Sequence, residues 1–208
     1  MDLTVFGASG RTGVPLVGQA LEAGHEVTAF VRDRSKLPVE HENLTVIEGD
    51  VYTGEGVREA VAGADAVLSV LGQTDSGPDD LLTVAGEHVM DAMASEGVER
   101  YVTLVGAGVR MEGERPSLFG RAIGLALRLL AREALEDAED HVDDVRASDR
   151  RWTVVRVPRL SEAEPRGEYR VGDVEPGRQA VSRADVAEFM LTVVEEESYV
   201  HELPKMTY

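Results

Sequence analysis

The chain has 208 residues, no cysteine, and 39 acidic against 21 basic side chains, a formal net charge of −18. This excludes disulfides and thiolate chemistry, disfavours a nucleic-acid surface, which needs a basic patch, and leaves room for one domain with a full core. The basic residues include only two lysines, Lys36 and Lys205. So acidic and lysine-poor a surface suggests adaptation to high salt, where the screening length shrinks to roughly 3 Å at 1 M and self-repulsion becomes tolerable.

No uncharged run is long enough to span a bilayer, and with Asp2 and a first strand at once no basic leader is expected. The expectation is a cytoplasmic protein with a small-molecule substrate and no membrane or nucleic-acid partner. It would be a monomer or a homodimer, with no metal site.

A short apolar strand, Leu3 to Phe6, runs directly into Gly7-Ala8-Ser9-Gly10-Arg11-Thr12-Gly13, and Val14 to Leu21 reads as a helix. Strand, glycine loop and helix in this order can hold the pyrophosphate of a dinucleotide. Glycines allow a tight turn and close backbone approach, and the helix start offers unpaired N–H donors and a positive dipole. The expected contacts are Gly7, Ser9, Gly10, Arg11, Thr12 and Gly13.

Gly24 stops the helix and Glu26–Val31 is a second strand, completing a βαβ unit. Arg32-Asp33-Arg34-Ser35-Lys36 follows at once. An acidic residue near this point bonds ribose hydroxyls in NAD-specific folds, whereas a basic cluster suits a 2′-phosphate. Arg32, helped by Lys36 and Arg11, is the expected phosphate clamp, so NADP(H) is favoured over NAD(H). The other reading is a solvated charged turn.

Residues 43–51 form a third strand ending in Gly49-Asp50-Val51. Asp50 either meets the adenine amino group or caps a helix from about Gly54 to Ala62. The apolar stretch 64–72 is a central fourth strand. It carries Leu71 and ends at Gly72, which either lets the cofactor pass or simply closes the strand. A helix from Asp79 to Glu96 and a fifth strand, 100–105, lead into Gly106-Ala107-Gly108.

A loop at 111–117 precedes a helical stretch from Leu118 to about Leu135, which could serve core packing, a substrate-pocket wall or a dimer surface. Its arginines argue against a membrane span. An acidic helix, Glu133 to Ala147, follows, with His141 at the rim of its apolar face, the place of a surface histidine. Trp152–Pro158 is a sixth strand, Glu168–Val171 a short extra strand, and Ser182 caps a final helix. The fold class is α/β: a Rossmann-type, doubly wound, three-layer parallel sheet with a small C-terminal extension. Residues 1–208 form one domain, with 109–135 and 159–208 on the substrate side.

Gly-Ala-Ser-Gly-Arg-Thr-Gly at 7–13 resembles the Gly-Ala-Thr-Gly-x-Thr-Gly of the small NAD(P)H-binding branch of the atypical short-chain dehydrogenase/reductase superfamily. Val31 to Leu37 resembles its Arg-Asp-x-x-Lys/Arg-Leu element, whose basic residues bind the NADP phosphate. Thr153–Pro158 and Ser182–Ala187 are similar to its later motifs. The resemblance spans the chain and extends to biliverdin-IXβ reductase/flavin reductase and, more distantly, to NmrA-like regulators. It implies a nicotinamide among Gly72, Gly106, Ala107 and Pro158.

Two departures stand out. None of Tyr52, Tyr101, Tyr169, Tyr199 or Tyr208 has a lysine four residues on, so the Tyr-x-x-x-Lys dyad of the main-line dehydrogenases is absent. Gly106 stands where flavin-reductase-like relatives carry a serine. His141 and Arg156 are the fallback catalytic candidates. The expected function is hydride transfer from NADP(H) to a flavin, quinone or tetrapyrrole acceptor; the alternative is a non-catalytic NADP(H) sensor or assembly protein.

Overall fold

A computed structural model describes residues 1–73, 77–109, 114, 131–175 and 179–208. Its strands are β1 (Asp2–Phe6), β2 (Glu26–Val31), β3 (Leu44–Glu48), β4 (Ala66–Ser69), β5 (Arg100–Gly106), β6 (Arg151–Val157), β7 (Leu160–Ser161), β8 (Arg170–Gly172), β9 (Val181–Ser182) and β10 (Lys205–Thr207). Its helices are α1 (Gly13–Glu22), α2 (Val57–Val61), α3 (Leu81–Glu96), α4 (Arg132–Ala147) and α5 (Arg183–Glu195).

The main sheet has the order β3-β2-β1-β4-β5-β6-β10-β8, parallel except where β8 runs against β10. The order reverses between β1 and β4. The loops after those two strands therefore diverge and leave a crevice at the strands' C-terminal ends. The expected Rossmann-type α/β fold is observed.

Alternation along the strands separates two apolar layers. Leu3 and Val5 of β1 face α1 and α5, packing in one core with Leu16, Val17, Val186, Met190 and Val193. Phe6 faces the other way, into a core with Val61, Val89, Met93, Val142 and Val145 from α2, α3 and α4.

Several boundaries differ from expectation. The third strand stops at Glu48, because the chain then bends into an antiparallel bridge between Asp50 and Glu55. The fourth is confined to Ala66–Ser69, and the short extra strand lies at Arg170–Gly172. Helix α2 begins at Val57 behind Gly56, whose φ of +78° is left-handed, so the reading of Asp50 as its cap is corrected. Strand β10 and the small β7–β9 pair were not anticipated. Of the expected helix from Leu118 to about Leu135, residues 118–130 lie outside the described residues. No helix among the described residues is long and apolar enough to cross a membrane.

Candidate functional site

The crevice begins at the glycine loop, which could not be built from larger residues. A methyl group on Gly13 would fall 2.1 Å from the Gly7 carbonyl oxygen, and one on Gly7, already at φ +79°, 3.0 Å from the Val70 carbonyl. These contacts lock the loop against the end of β4. Within it the Gly10 N–H donates to Gly7 O (2.9 Å) and the Val14 N–H to Gly10 O (3.0 Å). The N–H groups of Arg11, Thr12 and Gly13 have no backbone acceptor among the described residues. Pro15 at the third helical position has no N–H, and Thr12 makes no side-chain cap bond to α1. The start of α1 also carries no acidic side chain, so its dipole is not neutralised from within the helix. Such an arrangement can cradle an anion.

Beside the cradle, β2 ends and Arg32 is exposed, with no hydrogen-bond or ion-pair partner among the described residues. The acid next to it is engaged locally. The Asp33 carboxylate accepts from the Ser35 hydroxyl (2.6 Å) and N–H (3.0 Å), and these bonds hold it below the usual carboxylate range. Asp33 thus caps the one-turn 3-10 helix Arg34–Lys36. Arg34 is committed to that turn: its guanidinium donates to Leu37 O, and its N–H to Glu48. Lys36 is exposed, 4.0 Å from Asp33, and Arg11 is exposed, 3.7 Å from Glu162. Of Arg11, Arg32, Arg34 and Lys36, Arg32 is thus the one left uncommitted among the described residues.

Past the end of β3, the Asp50 side chain accepts from the Tyr52 N–H (2.9 Å) and buried Val51 offers its carbonyl to His88 Nδ1 (2.9 Å). The Tyr52 hydroxyl donates to Asp80 (3.0 Å), joining this loop to the start of α3 and raising the tyrosine's pKa.

Register carries the floor across the strand ends: Phe6 pairs with Ser69, Ser69 with Thr103, and Gly106 with Val157. The Ala107 N–H donates to Val157 O (2.8 Å), so Ala107 and Pro158 lie on adjacent strand ends. Gly72 and Gly106 are exposed and a methyl on either would meet nothing within 4 Å. Leu71 is half-buried between Gly72 and the glycine loop. A separate cleft of about 250 Å³, lined by Asp2, Glu26, Asn43 and Ala64 among others, lies at the opposite end of the strands and has no part in this site.

The family profile described as NAD(P)H-binding matches residues 7–197. The chain belongs to the NAD(P)H-binding family. Among curated relatives it is 48% identical over 64 residues to a 3-beta-hydroxysteroid dehydrogenase of Mycolicibacterium neoaurum, covering 31% of this chain and 17% of that one. It is 33% identical over 114 residues to a 3-diazoavenalumate denitrifying reductase of Streptomyces sp, covering 49% and 36%. The chain spans less than half the length of these relatives.

Solved structures agree in fold. A short-chain dehydrogenase/reductase from Veillonella parvula in complex with NADP matches with a TM-score of 0.82 at 19% identity, over 100% of this chain and 94% of that one. ChuY, an anaerobillin reductase from Escherichia coli O157:H7, matches at 0.81 and 19%, over 100% and 97%.

In this NAD(P)H-binding protein the two fallback catalytic candidates lie in the interior. His141 is not at the surface as expected; it is 2% exposed. Gly86 on α3 opens a slot for its ring, which packs edge-on to Tyr101 with Nε2 3.4 Å from Thr103 Oγ1 and Nδ1 unpartnered among the described residues. Burial lowers its pKa to about 4, only partly opposed by Asp137.

Arg156 is 3% exposed, and its guanidinium donates to Leu203 O, Val109 O and Glu114. It ties the end of β5 to the chain entering β10. Burial raises the Glu114 pKa, but hydrogen bonds from Arg156 and Lys205 outweigh it and leave the carboxyl below its ordinary value.

Sequence reasoning missed two groups. Asp137 of α4 accepts from the Leu82 and Thr83 N–H groups (2.9 Å each), the Thr83 hydroxyl and Gln73, capping α3 from a neighbouring helix. Arg183 reaches Thr12 from the first turn of α5. The Ser-Arg-Ala-Asp motif contains Arg183, but local pattern signals only the cap role of Ser182.

Proposed function

We propose that the chain is an NADP(H)-dependent reductase that passes hydride to a small conjugated acceptor of flavin, quinone or tetrapyrrole type. The observation that carries the cofactor preference is the pairing of an uncommitted Arg32 with an Asp33 already held by Ser35. A 2′-phosphate beside Arg32 gains a charge-assisted, bidentate partner, while the acid that would favour a free ribose diol is already engaged by Ser35. Gly7, Ser9, Gly10, Thr12 and Gly13 would hold the pyrophosphate, with Arg11 and Lys36 adding positive charge at the rim. Asp50 and Val51 would border the adenine, and Leu71, Gly72, Gly106, Ala107 and Pro158 the nicotinamide.

When bound, the coenzyme supplies the hydride; the protein supplies position and electrostatics. The reductase names carried by two relatives support the reaction class. The acceptor class rests on the open Gly106, which offers no proton. A conjugated acceptor can take its proton from water, whereas a ketone requires a positioned acid. His141 and Arg156 are both interior, and Arg156 is committed to two carbonyls and Glu114; neither is assigned a catalytic role.

The same observations support a second reading, a protein that senses NADP(H) without turning it over. Following NADPH oxidation at 340 nm with flavin, quinone and biliverdin acceptors in concentrated KCl separates the two. Reduction of any acceptor at catalytic rates supports the enzyme; tight NADPH binding with no acceptor reduced establishes the sensor. Arg32→Asp is expected to weaken NADPH while sparing NADH, and an unchanged preference refutes the clamp.

A further inference from the structure

The Arg183 guanidinium is largely buried and serves two partners: Nη1 donates to Thr12 Oγ1 at 2.8 Å and Nε to Glu162 Oε1 at 2.9 Å. Thr12 stands at the N-cap of α1, where a threonine oxygen ordinarily accepts from an N–H in the first turn. That bond is not made: the third position is Pro15, and the Val14 N–H already serves Gly10 O. The Thr12 oxygen accepts instead from Arg183, a residue 171 positions away.

A hydroxyl whose oxygen accepts from a guanidinium keeps its own proton to donate, and donates more strongly because the bonds polarise one another. The Thr12 O–H has no acceptor among the described residues, and it sits beside the unpaired N–H groups of Arg11, Thr12 and Gly13. Ser182 caps α5 through the Ala184 N–H, which fixes the backbone from which Arg183 reaches across.

We propose that Arg183 is a positioning residue for the coenzyme: it orients and polarises the Thr12 hydroxyl as a donor to the pyrophosphate. The proposal rests on the coenzyme-binding reading above, and it makes a different prediction from Arg32. Arg183 acts on the part shared by NADPH and NADH, so its loss weakens both and leaves their ratio unchanged.

The test measures dissociation constants of wild type, Arg183→Met, Thr12→Val and the double variant for NADPH, NADH and 2′-AMP, in concentrated KCl. 2′-AMP carries the adenine and the 2′-phosphate but no pyrophosphate. Arg183→Met is expected to weaken NADPH and NADH by about tenfold each, the loss of one charge-assisted hydrogen bond, and to leave 2′-AMP unchanged. Thr12→Val should lose a similar factor, and the double variant no more than the larger single loss, because both act through one hydroxyl. Thr12→Ser, which keeps the hydroxyl, should bind like wild type.

Wild-type affinity in Arg183→Met, losses that multiply in the double variant, or an equal loss of 2′-AMP overturns the proposal. If wild type itself binds neither coenzyme, it is the coenzyme-binding reading that fails.

Discussion

Gly86 lies inside α3, a helix of 16 residues, and on a free helix its replacement by alanine would stabilise by about 1 kcal/mol. Here a methyl group would stand 2.4 Å from His141 Nδ1 and 2.7 Å from its Cε1. The ring cannot swing into solvent, being 2% exposed and placed between Thr103 and Tyr101. Overpacking of a tight core costs roughly 1–3 kcal/mol, so Gly86→Ala is expected to destabilise by about 1 kcal/mol net. His141→Ala empties the slot, and adding Gly86→Ala to it then stabilises by about 1 kcal/mol, because only the helix preference remains. The coupling in this double-mutant cycle is about 2 kcal/mol, well above the ~0.5 kcal/mol scatter of independent sites. Urea melts in concentrated KCl, read by the fluorescence of Trp152 or by circular dichroism, give all four stabilities. A Gly86→Ala protein as stable as wild type, or a coupling near zero, refutes the packing argument.

The same histidine sets an acid limit. Its pKa is about 4 in the fold against an ordinary value of 6.5, so the unfolded chain takes up a proton first as pH falls. Stability should decline as pH falls from about 6.5 to 4, by about 3 kcal/mol, and the loss is complete below that window. His141→Gln should flatten that decline, and an unchanged slope contradicts the assignment. Carboxylates held low, such as Glu114 and Asp185, lose their contribution at more acid pH, as pH falls through their depressed values. Asp137→Asn puts an amide donor where two N–H groups, a hydroxyl and Gln73 all donate, and should cost about 3 kcal/mol in the same melts. A loss below about 0.5 kcal/mol would mean water replaces the cap.

The parts of the fold legible in the sequence are those fixed by local pattern. A strand running into spaced glycines and then a helix specifies its own geometry, and the glycine contacts bear this out atom by atom. Arg32 followed by Asp33 was equally readable, although the engagement of Asp33 by Ser35 emerges only in the fold.

What was not legible depends on partners distant in the chain. Lys205-Met206-Thr207 is too short to signal a strand by itself, and its register comes from β6 and β8. His141 was placed at the rim because helical period alone positioned it, whereas the slot that buries it belongs to Gly86 of the facing helix. A cap was one of the two readings open for Asp50 because Asp often is one, yet a left-handed Gly56 starts that helix. Arg183 lay within a noted motif, but its partner Thr12 is at the other end of the chain.

The most direct measurement is a calorimetric titration of the protein with NADPH and with NADH, side by side in concentrated KCl. The account predicts saturable binding of one coenzyme per chain, with NADPH the tighter and Arg32→Asp abolishing that preference. No detectable affinity for either coenzyme, or NADH bound as tightly as NADPH, contradicts it.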